Sequence, residues 1–530
     1  MKKIFLASVF LFLISVNSAF SASKEIVYNL GADPKTIDPA LNRTVDGNNV
    51  IMNIFEGLFR TGFDDKPEPG CAENWEISED GMTWTFHLRD NLKWSDGEKL
   101  TASHFRDGFL RSLNPETGSP YAYYAFFIKN GEAFYNGKAK AEEVGVSAPD
   151  DKTFVINLEY KNPLTKEYLA FPIFMPARTD IISKSEISWA AKPETLISNG
   201  AFKLENWVHG DGGEITLVKN PEYWDAENVK IDRLRFVMIN DSNTALAAFK
   251  AGRIDYMNTI PSQMLPMLLK TGQAKSQPSL GTAFCDFNNS KPPFDDVRVR
   301  KAFSLAIDRR IIIDKILMGN QKPATGLVCD LVPGTTDEKD FRTEGGIFLP
   351  ERADVKEAQR LLAEAGYPNG KGFPKVSYKY NSNSGNKAIA EALQGMWKKF
   401  LGVEVELLNE EWKVFIETRK NGDFEIARNA WIMDFFDAGS ILETFMSDSP
   451  QNDSFYKNEK FDLAMKNASI EMDRVKRINY MHEAEKILME DMTVAPIYFY
   501  SSASMQSKRV KNIYHSPRDF EIFRRAEIQE

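Results

Sequence analysis

A cation, an indole and a carboxylate follow one another closely within residues 424–437. Arg428, Trp431 and Asp434 come after a start in which apolar and polar residues alternate, as in a buried strand. In a fully extended chain, six residue steps from Arg428 to Asp434 span about 20 Å. Opposite charges at that separation could bind the two ends of a short zwitterionic peptide. The alternatives are a surface loop with solvated charges, or an ion pair between Arg428 and Asp434 themselves.

Length and composition predict a folded protein of two or three domains. The chain has 530 residues, which is too long for one compact core. A hydrophobic fraction of 43% and a charged fraction of 27% argue against disorder, and 12% aromatic residues suit a protein that encloses ligand groups. The net charge of −9 becomes more negative once Lys2 and Lys3 are removed with a leader. This charge argues against nucleic acid or an anionic membrane surface as a partner.

The amino-terminal residues 1–22 have the pattern of a secretory signal peptide. A charged start precedes an apolar run at residues 4–16, and small residues at 19–21 form a cleavage site. An apolar run of about 13 residues is too short to span a bilayer. The first cysteine is Cys71, so the leader offers no cysteine for a lipid anchor. We therefore expect a periplasmic protein that is exported, cleaved and not embedded in the membrane.

Cysteine and histidine usage gives little support to an enzyme or a metal site. Three cysteines, Cys71, Cys285 and Cys329, allow at most one disulfide within the chain. The five histidines are scattered, so we expect no metal and no cofactor. A secreted hydrolase, the rival function from another class, would need a nucleophile or a metal. The chain has no G-x-S-x-G sequence, and His482 lacks the second histidine of an H-E-x-x-H motif.

Periodicity predicts mixed α/β architecture along the whole mature chain. Predicted strands cover residues 24–30, 75–78, 82–88, 200–207, 214–219, 233–239 and 403–407, with a hairpin in 144–158. Predicted helices cover residues 48–59, 242–251, 297–318, 354–365 and 386–401, and another begins after Thr101. The later part alternates helices and strands, as an α/β lobe does. The absence of a Gly/Ser linker in the sequence predicts lobes that touch and are joined by short strands.

Several motifs follow one another in unbroken order along the chain. They are Phe55-Glu-Gly-Leu-Phe59, Trp84-Thr-Phe-His-Leu-Arg89, Trp94-Ser-Asp-Gly97, Asn220-Pro-Glu-Tyr-Trp224 and Gly252-Arg-Ile-Asp255, with further segments at 292–303 and 431–434. With these motifs, about residues 24–511 resemble the extracellular solute-binding proteins of peptide ABC transporters (family 5), and within them the oligopeptide-binding proteins.

This resemblance implies a periplasmic-binding-protein-like α/β fold, with two lobes joined by a hinge, an extra inserted domain and mixed sheets. Domain I would comprise residues 23–56, 183–284 and 500–530, domain II residues 57–182, and domain III residues 285–499. Domains I and III would close on a peptide of about two to five residues and deliver it to the membrane permease of an ABC transporter. The resemblance implies a monomer without enzymatic activity.

The resemblance also assigns individual residues to a ligand site. Asp434 would pair with the peptide's α-amino group, because burial of an unpaired ammonium group is costly. Arg428 and Arg419 would bind the terminal carboxylate. The remaining assignments are the pocket walls Trp412 and Trp431, the backbone-pairing position Val45, and Ala430, Tyr123, Tyr124, Arg43 and Asn386.

Three positions depart from the family pattern. Arg43 stands where the oligopeptide binder has an acid, and Asn386 where it has a histidine. Ile432 replaces a cysteine of a family disulfide, so Cys285 is either free or paired elsewhere, with Cys329 as one candidate. These departures keep open a different solute, such as a cell-wall peptide, a nickel chelate or haem. For Arg419 the alternative is a solvated helix end, and for the two tryptophans it is a place in the core.

Overall fold

The computed structural model describes residues 24–529. The signal peptide predicted at residues 1–22 lies outside this range. The strands lie, in chain order, at β1 Glu25–Asn29, β2 Phe59–Thr61, β3 Pro67–Pro69, β4 Ala72–Ile77, β5 Thr83–Leu88, β6 Val146–Ser147, β7 Thr153–Asn157, β8 Phe202–Val208, β9 Glu214–Lys219, β10 Arg233–Val237, β11 Tyr256–Met257, β12 Lys275–Phe287, β13 Lys322–Pro323, β14 Val376–Asn381, β15 Val405–Glu410, β16 Ile426–Ile432, β17 Val494–Gln506, β18 Val510–Lys511, β19 Tyr514–His515, β20 Glu521–Ile522 and β21 Glu527–Ile528.

The helices alternate with these strands most regularly in the second half of the chain. They are α1 Val45–Ile54, α2 Ala102–Leu113, α3 Gly131–Tyr135, α4 Thr165–Leu169, α5 Thr179–Ser185, α6 Ser242–Lys250, α7 Leu265–Lys270, α8 Val297–Leu305, α9 Arg309–Ile312, α10 Phe341–Gly345, α11 Val355–Glu364, α12 Ser384–Leu401, α13 Trp412–Lys420, α14 Gly439–Leu442, α15 Glu459–Ile470 and α16 Arg474–Glu490.

One mixed sheet of eleven strands runs through both lobes. Its order is β15-β14-β16-β12-β17-β11-β1-β10-β9-β8, and β13 pairs with β17 beside this path. The sheet combines parallel pairs, such as β1 with β10 and β14 with β15, with antiparallel pairs, such as β12 with β16 and β12 with β17. The predicted fold class, two α/β lobes joined by a hinge with an extra inserted unit, is confirmed.

The connection between the lobes is made by two long strands, β12 and β17. Residues 275–278 pair with residues 501–504, beside β11, whereas residues 282–286 pair with residues 494–499, beside β16. The register shifts between Pro278 and Thr282. Such a shift bends a strand locally, so the break marks where the two halves of the sheet can change their relative angle.

The inserted unit is built on a separate antiparallel sheet, β4-β5-β7-β6. Its apolar face packs on α2, where the rings of Phe109 and Phe154 are 5.1 Å apart in an edge-on arrangement. Helix α2 begins after Thr101, as predicted. These residues share one continuous apolar cluster with β1, β9 and β10, so the inserted unit packs firmly on the first lobe.

The prediction of one continuous helix over residues 297–318 is wrong. It is broken into α8, α9 and a π-helical turn at residues 313–317. The Asp308 side chain accepts a hydrogen bond from the Ile311 N–H at 3.0 Å and thereby begins a new helix inside the apolar pattern. Helix α1 also ends earlier than predicted, at Ile54, because both backbone groups of Glu56 bind the Asn199 side chain.

The suggested pairing of Cys285 with Cys329 is wrong. All three cysteines are buried and free. Cys285 belongs to the apolar cluster around Trp397, whereas Cys329 belongs to the cluster around Phe284. Successive residues of β12 point to opposite faces of the sheet, so these two clusters lie on opposite sides of it.

Candidate functional site

Strand β16 has one open edge in its second half. It pairs with β12 along its whole length, from Ile426 opposite Phe287 to Ile432 opposite Gly281. On its other side, β14 pairs only with the first two residues of β16. Within residues 24–529, no further strand continues this pairing along residues 428–432. The backbone groups on that edge can therefore accept an added strand.

Arg428 stands at the start of this open edge and has no acidic partner in the part of the chain that the structure describes. Strand alternation places it on the same face as Ala430, directly opposite Cys285 of β12. Its Nη2 donates to the Tyr500 hydroxyl at 3.0 Å. Among the described residues, no carboxylate oxygen lies within the 4.0 Å of an ion pair with Arg428. The half-buried guanidinium is thus left without a counter-charge.

Asp434 follows the end of β16 and likewise has no ionic partner among residues 24–529. Its Oδ2 accepts a hydrogen bond from the Tyr124 hydroxyl at 2.6 Å, and its N–H donates to the Ser440 Oγ at 2.9 Å. Arg518 donates only to its main-chain oxygen, at 3.2 Å. Burial raises the pKa of Asp434 to about 6, while the Tyr124 hydrogen bond and the Arg518 charge oppose this rise. An ion pair between Arg428 and Asp434 is not formed.

A cavity of about 200 Å³ opens beside Asp434. Three residues predicted for the site, Arg43, Val45 and Asp434, line it together. The lining also includes Tyr121, Ile432, Arg518 and Phe520. The cavity thus combines both signs of charge with aromatic walls, which suits a ligand with a charged end.

Val45 lies at the start of a helix and not within a strand. The Thr44 backbone is extended (φ −123°, ψ 149°), and its side chain caps the first turn of α1 by accepting from the Gly47 N–H at 3.4 Å. The Val45 carbonyl accepts from the Asn49 side chain at 3.2 Å. Within residues 24–529, its N–H has no hydrogen-bond acceptor, as is usual in the first turn of a helix. Of the two backbone groups of Val45, only the N–H is therefore available to a ligand.

Arg419 is not a solvated helix end. Its side chain is 11% exposed, and its Nη2 lies 3.4 Å from the Asp453 Oδ2. The guanidinium also lies 5.2 Å from the ring centre of Phe415. The second predicted carboxylate-binding cation is therefore already paired in this structure. Trp412, at the start of the same helix α13, is 48% exposed.

The other predicted residues do not line the cavity, as far as residues 24–529 show. Tyr123 contacts Tyr124 with ring centres 4.5 Å apart. Asn386 donates to the Asn381 Oδ1 at 2.9 Å. Trp431 points to the face of β16 opposite Arg428 and packs on the apolar cluster there, and its Nε1 is buried without a partner.

Sequence reasoning missed Arg518, Tyr121 and Tyr500. Arg518 lies in the carboxyl-terminal tail, 84 residues from Asp434, and contacts it through the fold alone. No spacing rule connects the two positions. A signal for Tyr121 was present, since it belongs to the same tyrosine-rich turn as Tyr123 and Tyr124.

Residues 24–529 contain neither a metal-binding group of side chains nor a membrane-spanning helix. No group of three or more His, Cys, Asp or Glu side chains there is arranged to hold a metal ion. None of the helices in that range has the length and apolarity that a bilayer span requires.

Residues 66–453 match the family model described as "Bacterial extracellular solute-binding proteins, family 5 Middle". The chain belongs to this family. Among its relatives, the oligopeptide-binding protein OppA of Bacillus subtilis is 36% identical over 494 residues, which cover 92% of this chain and 89% of OppA. The resemblance drawn from the motifs is thereby confirmed.

Solved structures of the family 5 solute-binding proteins share the fold over nearly the whole chain. The murein tripeptide binding protein MppA of Escherichia coli superposes with a TM-score of 0.83 at 33% identity, covering 96% of this chain and 99% of MppA. OppA of Haemophilus influenzae in complex with the peptide RPPGFSPFR gives a TM-score of 0.80 at 32% identity, with coverages of 96% and 99%.

Proposed function

We propose that this solute-binding protein is a periplasmic receptor that captures short peptides between its lobes and delivers them to the permease of an ABC transporter. One observation carries the proposal. Arg428 and Asp434, at the two ends of an open strand edge, both lack a counter-charge among the described residues. A partly buried charge without a partner is costly, so each favours a ligand group of opposite sign.

The ligand backbone would lie along β16 as an added strand. Its ammonium group would meet Asp434, and its terminal carboxylate would be bound by Arg428 in the two-pronged geometry that arginine favours. The six residue steps between them span about 20 Å when extended, enough for a peptide of about two to five residues. Main-chain hydrogen bonds of this kind give affinity that does not depend on side-chain identity.

Arg419, Trp412 and Trp431 complete the site in this proposal. Arg419 serves as a second cation for the terminal carboxylate once Asp453 releases it. The half-exposed Trp412 forms a pocket wall when the lobes close. Trp431 would form a pocket wall on the other face of β16. Ala430 would contribute its main-chain carbonyl, because its N–H donates to the Asn429 Oδ1 at 2.8 Å.

The proposed domains remain those expected from the family. Residues 23–56, 183–284 and 500–530 would form one lobe, residues 285–499 the other, and residues 57–182 the inserted domain. Closure would occur about the register break in β12, which lies near residue 280 at the boundary between the lobes. The relatives' names, oligopeptide-binding and murein-tripeptide-binding, support peptides as the solute.

Native mass spectrometry of the protein purified without denaturation tests the proposal. We expect bound intact peptides of about two to five residues, identified by their masses after release. A bound nickel chelate or haem would contradict the peptide assignment. Incubation with tripeptides gives the second readout, since a secreted peptidase would cleave them, whereas the proposed receptor returns them intact.

A further inference from the structure

Arg43 is a second unneutralised charge in the cavity beside Asp434. Its side chain is exposed and lines the cavity together with Asp434. Within residues 24–529, the Arg43 guanidinium is in no ion pair and has no hydrogen-bond partner. The cavity therefore has a negative wall at Asp434 and a separate positive wall at Arg43.

Tyr121 lines the same cavity as Arg43 and Asp434. Burial is the main reason that the pKa of the Tyr121 hydroxyl is raised well above its ordinary value. The Asp434 charge adds to this rise and the Arg43 charge opposes it, so both lie close enough to the hydroxyl to affect its ionisation.

The start of helix α1 adds to the preference for an anion on the Arg43 side. Val45 lines the cavity, and its N–H has no hydrogen-bond acceptor within residues 24–529. The amino-terminal end of a helix also has a partial positive charge of about half a unit. The carboxylate of Asp46 interacts with Thr44. The Val45 N–H and Arg43 are thus both available to one incoming carboxylate.

The other cation of the cavity, Arg518, is already neutralised. Its Nη2 lies 3.1 Å from the Asp65 Oδ1, and its Nη1 donates to the main-chain oxygen of Asp434. Of the two arginines that line the cavity, Arg43 is consequently the one without an acidic partner among the described residues.

We propose that Arg43 makes this receptor select peptides whose first residue has a carboxylate side chain, glutamate or aspartate. The inference rests on the proposed function, because Asp434 must hold the terminal ammonium group for the first side chain to enter this cavity. Ammonium and side chain branch from the same Cα atom, so a first-position glutamate can reach Arg43 and the Val45 N–H. A first-position lysine would instead meet a like charge.

Isothermal titration calorimetry with the tripeptides Glu-Ala-Ala, Gln-Ala-Ala and Lys-Ala-Ala tests this selection. We expect the wild-type protein to bind the glutamate peptide about fivefold or more tightly than its glutamine isostere, the scale of one partly exposed charge pair. In Arg43→Gln the ratio should fall to about one, and in Arg43→Glu the lysine peptide should bind best. Arg360→Gln, a change on the exposed face of α11, is the matched control and should keep the wild-type ratio.

The outcomes separate this inference from the proposed function. If the wild-type protein binds all three peptides with equal affinity, the Arg43 assignment is overturned while peptide capture stands. If the glutamate preference persists in Arg43→Gln, another group recognises the side chain and the assignment is again overturned. If none of the peptides binds, the proposed function itself fails, and the inference fails with it. Thermal unfolding of each variant checks that it is folded.

Discussion

At Asp434, burial opposes stability and favours binding. The pKa of this carboxyl group is raised from 3.8 to about 6, chiefly by burial. Between these two values the folded protein binds more protons here than the unfolded chain does. The free energy of unfolding that this group contributes therefore falls as the pH rises through that window. Above about pH 6 the ionised group costs stability, which a ligand ammonium can restore.

Asp434→Asn should therefore separate stability from function. The neutral amide keeps the shape and can still accept the Tyr124 hydrogen bond, so we expect an unfolding free energy at pH 7.5 that is higher by about 1 kcal/mol. Chemical denaturation at pH 7.5 and pH 4 measures this, and the gain should vanish at the lower pH. A loss of stability at pH 7.5 would contradict the account of this residue.

Tyr124→Phe should move the pH dependence of binding. Removal of the hydroxyl takes away the hydrogen bond that holds the pKa of Asp434 down, so this pKa rises further. Affinity for a peptide ammonium group should then begin to fall at a higher pH than in the wild-type protein when the pH is lowered from 8 to 5. Tyr168→Phe, in the same aromatic group, is the control. Identical pH profiles for all three proteins would rule out this link.

Single residues could be predicted where chemistry and local pattern coincide. The sequence singles out Arg428 and Asp434 because opposite charges flank an alternating strand and match a family motif, and their roles in ligand binding stay a prediction. Arg518 and Tyr500 could not be found, because their contacts with this strand depend on how distant segments pack. The pairing of Arg419 with Asp453 was missed for the same reason.

Among the elements, β16 is the most important for the proposed peptide binding, because backbone groups along its open edge can pair with a ligand. A strand added to one edge pairs through alternate residues only, while the residues between them point their amides away. We therefore expect N-methylation of a tripeptide at one of its two internal amides to weaken binding by about 1 kcal/mol, the net value of one hydrogen bond. Methylation at the other amide should have little effect. Equal losses at both positions would argue against strand addition.

In the proposed site, helix α13 would present Arg419 to the ligand, and the ion pair with Asp453 would compete with this role. Asp453→Asn removes the ionic partner and leaves a cation that is nearly buried. A ligand carboxylate that reaches Arg419 would then gain affinity, by about threefold or more, because it neutralises an otherwise unpaired charge. Calorimetry with a tetrapeptide, compared with its carboxyl-terminal amide, measures the effect. If both ligands bind the variant and the wild-type protein alike, Arg419 has a structural role only.

The bounds of a helix are predictable from the sequence where its capping residues and its apolar stripe indicate the same first and last residues. Helix α11 follows its predicted bounds within one residue, because Asp354 caps its start and Gly366, with positive φ, follows its end. The region after Val297 was not predictable in the same way. Its apolar pattern continues across Asp308, and only the capping hydrogen bond to Ile311 reveals the break.

At the scale of the whole molecule, the two lobes share one sheet, and the hinge is part of that sheet. Strands β12 and β17 continue through the boundary with a register shift instead of a flexible linker. The absence of a Gly/Ser linker predicts lobes in contact, but the length of these strands, 13 residues each, follows from the tertiary pairing. Lobes connected in this way can close over a ligand while β16 and the cavity beside Asp434 keep their local geometry.

The central claim is that Asp434 and Arg428 bind opposite ends of one peptide. Calorimetric double-mutant cycles, which combine a change in the protein with a change in the ligand, test it most directly. The ligands are Ala-Ala-Ala, its N-acetyl form and its carboxyl-terminal amide. Each is titrated into the wild-type protein, Asp434→Asn and Arg428→Gln. Acetylation should cost the wild-type protein at least about 2 kcal/mol and cost Asp434→Asn almost nothing. Amidation should show the same pattern with Arg428→Gln. Losses that are the same in the wild-type protein and in both variants would contradict the claim.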